Sequence, residues 1–151
     1  MLPMLIVLLF GGFEAGNFMW TQHKLITAVR EGARYAARLP IDDFCNGTDE
    51  NLNTAAETNI KTLILTGMLP DGQGAPQSRA RVEGWMLGDV TVQPDCDGFA
   101  ATGIYSQLGH AGPTVRVSTG SVAYPSLFRG LGVIDNAFRL SARSDSAVIG
   151  I

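Results

Sequence analysis

The feature that most restricts this chain is its opening run, MLPMLIVLLFGGFEAGNFMW, in which Glu14 is the only charged residue between Met1 and Trp20. A helix of that length spans roughly 30 Å, the thickness of a bilayer core. A cleavable signal peptide calls for a basic start and a small-x-small cleavage site, and neither is present here. A buried core helix is rarely apolar on every face over such a length. A membrane span fits best. The other 131 positions (151 − 20) have ordinary soluble composition and suffice for one domain with a modest core. The chain as a whole is only 17% charged, against roughly 25% for an average soluble domain, and the opening run carries a single charged residue. With net charge −3 and no Lys/Arg cluster, nothing points to a nucleic-acid partner.

Glu14 is the anomaly of the span, because a carboxylate at mid-bilayer costs several kcal/mol and less near an interface. Two readings apply: a protonated or snorkelling interfacial side chain, or a pairing role with a neighbouring subunit. A span that began upstream of Met1 would place Glu14 near its outer end. Gly12 and Gly16 form a G-x-x-x-G, which lets helices approach closely. The helix is expected to continue beyond Trp20. From Thr21 to Leu39 there is no proline, and Leu25, Ile26, Val29, Ala33, Ala36 and Ala37 recur at helical spacing. Ala28, Gly32 and Ala36 add a row of small residues suited to close packing, and Pro40 ends the run. Residues 1–20 are thus the membrane half, 21–39 an amphipathic continuation, and 40–151 a head domain.

Orientation draws two opposed signals. Lys24, Arg30, Arg34 and Arg38 just beyond the span favour a cytoplasmic C-terminal side. The two cysteines, Cys45 and Cys96, have no C-x-x-C or histidine neighbours to make a zinc site. They are either buried thiols of a cytosolic protein or, if the head is exported, a disulfide closing 51 positions. The expected arrangement is an exported head.

The segment LPMLIVLLFGGFEAGNF followed by TQHKLITAVREGARYAA resembles the N-terminus of the TadE-like family, minor pseudopilins of the tight-adherence (Tad/Flp) pilus system. The stretch AVREGARYAA carries the most specific part of the likeness, and Leu2-Pro3 and Phe13-Glu14-Ala15-Gly16 match as well. Family members carry, just upstream, a glycine cut by a prepilin peptidase and a glutamate five residues later. Neither is assigned to a residue of this sequence, and Glu14 lies too deep to be that glutamate. The resemblance implies a bacterial inner-membrane, single-pass protein with its head periplasmic or extracellular. It implies a structural role in pilus assembly and surface adhesion. The implied partners are the major Flp pilin, a sister minor pseudopilin, the assembly platform and, given an upstream site, the prepilin peptidase.

In the head, Asn46-Gly47-Thr48 reads as a turn feeding a helix cap, and Leu52, Ala55, Ala56, Ile60, Leu63 and Ile64 trace a second amphipathic helix ending near Gly67. Leu69 to Pro76 is a loop by composition. Beyond it the period becomes two: strands are expected over Ala80–Met86, Asp89–Gln93, Thr114–Ala123 and the Phe138–Arg143 alternation, with Gly88-Asp89 a turn and Pro94–Pro113 a long loop. Tyr124 to Phe128 resembles an aromatic-Pro-Leu turn of TadE-like C-terminal regions. The expected fold is α+β: a long helix, a second helix, then a small antiparallel sheet. No catalytic grouping is recognised. His110 lies in a glycine-rich loop, and Asp89, Asp95 and Asp97 match no EF-hand spacing. No cofactor is called for. A membrane-tethered binding or sensor module is the alternative to a pilin-like subunit, with an exported enzyme third.

Overall fold

A computed structural model describes residues 2–46, 49–70, 79–99, 112–128 and 138–150. The fold is α+β, as the periodicities require. Helix α1 runs unbroken over Leu2–Ala36, 35 residues or about 52 Å. It is apolar enough to cross a membrane. It stops short of Pro40: the Arg38 and Leu39 amides bond to the Tyr35 and Ala36 carbonyls, tightening the last turn before a residue that has no N–H to offer. The two halves of the helix differ sharply. From Met4 to Phe10 every side chain is exposed, whereas Leu25, Ala28, Val29, Ala33 and Ala36 are completely or almost completely buried. Their spacing of three and four places them on one stripe.

Helix α2 (Thr54–Thr66) lies beside that stripe. Asn53 caps its first turn, with Oδ1 accepting from the Ala55 amide at 2.9 Å. At the other end Gly67 takes a left-handed conformation (φ 82°), and its amide bonds to Leu63. Ile60 and Ile64 are fully buried. At Gly32 the two helices approach closely, since a Cβ there would collide with the Ile64 side chain. Outside this contact, Arg81 and Glu31 form an ion pair at 2.6 Å above the α2 terminus.

Two-residue strands β1 (Cys45–Asn46) and β2 (Asp49–Glu50) pair antiparallel. The main sheet has the order β3 (Val90–Phe99), β4 (Gly112–Ala123), β5 (Arg139–Ala147), all antiparallel. Its inner face rests on α1. In β4, Val115, Val117 and Thr119 point inward and Arg116 outward. On the outer face Arg116 and Arg143 both bond to Asp145; the Arg143 guanidinium chiefly, with Arg116 adding to it, holds that carboxyl below the ordinary carboxylate range. Beyond β5, Val148 is buried, and the Ile149 amide bonds to the Ala37 carbonyl, tying the C-terminal segment to the end of α1.

Two sequence readings are corrected. Residues Ala80–Met86 form no strand. Val82 and Trp85, three apart, are both buried in a turn whose Trp85 amide bonds to Val82, and Gly84 adopts φ 78°; that geometry defeats the alternation of a strand. The loop expected from Pro94 is strand as far as Phe99, and Gly112–Pro113 belong to β4. Pro94 is tolerated because β3 is an edge of the three-stranded sheet. Gly88-Asp89 lies in a turn, a single 3-10 turn over Leu87–Asp89, and Asn53 supplies the cap of the helix that follows the Asn46 region. Residues 100–111, with His110, the middle of the Leu69–Pro76 tract and Gly47-Thr48 lie outside the described residues.

Cys45 and Cys96 are joined in a disulfide that ties β1 to β3 across 51 positions. The chain-entropy model assigns such a loop about 4 kcal/mol. Reduction is therefore expected to lower the unfolding free energy by about that amount, measured by urea titration with and without reductant. Gly32→Leu is expected to cost about 1–3 kcal/mol by forcing α1 and α2 apart, read as a lowered melting temperature in detergent.

Candidate functional site

The head does not simply hang from the end of the apolar segment. It reaches back along α1 as far as Phe10. The element that does so is the turn after β4, Tyr124-Pro125-Ser126-Leu127-Phe128, together with Phe138 at the entry to β5. A bulge aims it. Between Thr119 and Val122, β4 sets two residues, Gly120 and Ser121, against the single Ser141 of β5 (Thr119 faces Ala142, Val122 faces Leu140). Odd positions point inward before the bulge and even ones after it, so Val122 and Tyr124 face α1.

The helix answers with the polar residues of its apolar run. Asn17 Nδ2 donates to the Tyr124 hydroxyl oxygen at 2.8 Å and to the Pro125 carbonyl at 3.2 Å. The Tyr124 hydroxyl donates to the Glu14 backbone carbonyl at 3.2 Å. The Leu127 amide donates to Glu14 Oε2 at 3.2 Å, and the Phe128 amide to Ser126 Oγ at 3.2 Å. Glu14 is only 7% exposed and Tyr124 only 3%. Among the described residues the second oxygen of Glu14, Oε1, has no hydrogen-bond partner. Rings complete the contact edge to face, Phe10 with Phe128 at 4.9 Å and Phe18 with Tyr124 at 5.2 Å. Beside them a groove of about 300 Å³ opens between helix and head, lined mainly by apolar groups of Gly11, Ala15, Phe18, Met19, Tyr124 and Phe138.

The residues singled out from sequence thus fall into two sets. Ala28, Gly32 and Ala36 are buried within the chain, in the contacts of α1 with α2 and the sheet. Gly12 and Gly16 are exposed, with nothing among the described residues within 4 Å of a Cβ built at either. Glu14 is turned into the head, and its observed partner is Leu127 of its own chain. Asn17 was not singled out, although an amide inside an apolar run was the available signal. The bulge at Gly120-Ser121, which decides where Tyr124 points, has no signature in the alternation of β4 alone. Asp89 is occupied locally, its Oδ2 accepting from the Met86 amide at 2.9 Å. Among the described residues no three His, Cys, Asp or Glu side chains gather in a metal-binding group.

Residues 1–34 match the family model of TadE-like protein. That segment is similar to TadE-like proteins. The match takes in the exposed apolar half of α1, Glu14, Asn17 and most of the buried stripe, and ends before the head. The family that the segment matches is associated with the Tad pilus system. Neither the curated proteins nor the solved structures contain a match.

Removing the Tyr124 hydroxyl by Tyr124→Phe is expected to cost about 1 kcal/mol of stability. Glu14→Ala is expected to cost about 1–3 kcal/mol, because it leaves the Leu127 amide without its acceptor. Chemical unfolding in detergent micelles measures both.

Proposed function

We propose that this chain is a minor pilin-like subunit that helps to assemble a tight-adherence pilus. The supporting observation is the division of α1. Its second half is locked beneath α2 and the sheet, while its first half is bare and presents Gly12 and Gly16 to the outside. A helix so divided serves as a membrane anchor and then as a packing surface: leaving the bilayer for an assembly exchanges lipid contacts for helix–helix contacts. The small residues permit close approach in either setting. The TadE-like match over that same helix supports the pilus as the assembly. The disulfide supports an exported head, since such bonds persist in oxidising compartments. The major Flp pilin, a sister minor pseudopilin and the inner-membrane platform are the partners in this reading, and adhesion to surfaces is the outcome.

The test uses Gly12→Val together with Gly16→Val. Neither position touches the described residues of the head, so the melting temperature of the purified variant is expected to match the parent. Surface pili counted by electron microscopy are expected to fall several-fold in cells carrying it. Undiminished pili alongside a fully folded, membrane-inserted variant would overturn the assembly role and favour a tethered binding or sensor module instead.

A further inference from the structure

The contact between the head and Phe10 sets a depth. Trp20 is 60% exposed, and Lys24 Nζ sits 5.4 Å from its ring centroid. A solvent-facing tryptophan beneath a lysine, at the point where an apolar run turns amphipathic, marks the level of the headgroups. Phe10 lies ten residues before Trp20, about 15 Å along the helix axis. Phe128, edge to face with Phe10, shares that level, and Leu127 bonds to Glu14 only one turn nearer the headgroups. Part of the head therefore lies alongside the segment of α1 that would be inside the membrane.

What that part exposes suits the position. Leu127 is 58% exposed and Phe138 54%; the Leu127 amide bonds to Glu14, and the Phe138 ring lies 6.2 Å from that of Phe18. Hydrocarbon tolerates an irregular segment only where its backbone polar groups are satisfied internally. In the turn the Pro125 carbonyl is met by Asn17, the Leu127 amide by Glu14 and the Phe128 amide by Ser126. The three polar partners belong to the chain itself, and two of them are the polar residues that interrupt the apolar run.

We infer that the turn Tyr124–Phe128 and Phe138 insert into the outer part of the bilayer beside α1, with lipid acyl chains as their partner and Glu14 and Asn17 as the groups that make insertion of the turn tolerable. The groove between Phe18, Met19 and Phe138 gives an acyl chain a place to lie. The head is then seated on the membrane at two points, the helix and the turn, and its tilt is fixed. The inference rests on α1 entering a bilayer and is independent of pilus assembly.

The experiment is carbene photolabelling of the full-length wild-type protein in phosphatidylcholine vesicles, using a diazirine reagent that partitions into acyl chains, with sites mapped by mass spectrometry. Leu127, Phe128 and Phe138 are expected to be labelled to a similar degree as Leu5 to Phe13. Ile149, equally apolar and as exposed but bonded to Ala37 at the far end of α1, is expected to show several-fold less. Labelling of α1 without the turn would overturn the inference while leaving the anchor intact. Absence of label from α1 itself would remove the anchor on which it stands. Protection of Leu127 and Phe138 by cross-linkable contact with a second copy of the chain, instead of lipid, would also overturn it.

Discussion

Close packing along one stripe of α1 holds the head together. Ala28, Ala33 and Ala36 are buried to the last few per cent, and Gly32 brings the α1 backbone against the Ile64 side chain. Small residues let α2 on one side and β4 and β5 on the other approach the helix axis, so that Leu25, Val29, Ile60, Val117 and Leu140 join in one core. A larger residue in that row would separate layers that have little else to bury in a domain of this size. The C-terminal segment adds a clamp: Gly150 lies so close to the Leu39 carbonyl that only a residue without a Cβ fits there. The rod and the head are one packed unit from Leu25 to Ala37.

Two further devices determine what that unit presents. The disulfide joins the short β1–β2 pair to the edge strand β3, where Phe44 is fully buried beneath the link. The bulge in β4 changes which parity of residue faces the helix, and so turns Tyr124 inward at the level of Glu14 and Asn17. An unbulged strand would carry Tyr124 to the solvent face, leaving the two polar side chains of the apolar run with no partner. A backbone irregularity of one residue thus decides how the head meets the anchor.

The elements with strong periodicity were legible from sequence: α1 with its change of character near Trp20, α2 with its glycine terminus, and the alternating strands β4 and β5. Their signal is burial of one face, which composition records directly. Ala80–Met86 misled because Val82 and Trp85 are buried by a turn, and a pair of apolar residues three apart inside β-prone sequence does not announce that. Pro94 misled in the other direction, since proline excludes a central strand but not an edge one, and the strand order is a long-range fact. The turn contact had the weakest signal of all. Glu14 stood out as a cost, but its partner lies 113 residues away, and nothing local to either end names the other.

Polar residues in an apolar helix are commonly read outward, towards a second subunit or a headgroup. Here the geometry reads inward first. Glu14 Oε2 and the Asn17 amide are engaged by a turn of the same chain, and what remains exposed on the first half of α1 is hydrocarbon side chain and glycine. This separation has a consequence for any assembly built from the helix. A neighbour packing on Gly12 and Gly16 meets a surface without charge, along which sliding and rotation cost little. Register then has to come from the head, whose position along α1 is fixed by Glu14, Asn17 and Tyr124. The polar contact and the glycine face are complementary parts of one arrangement, the first setting where the head sits on the rod and the second leaving the rod free to be packed against.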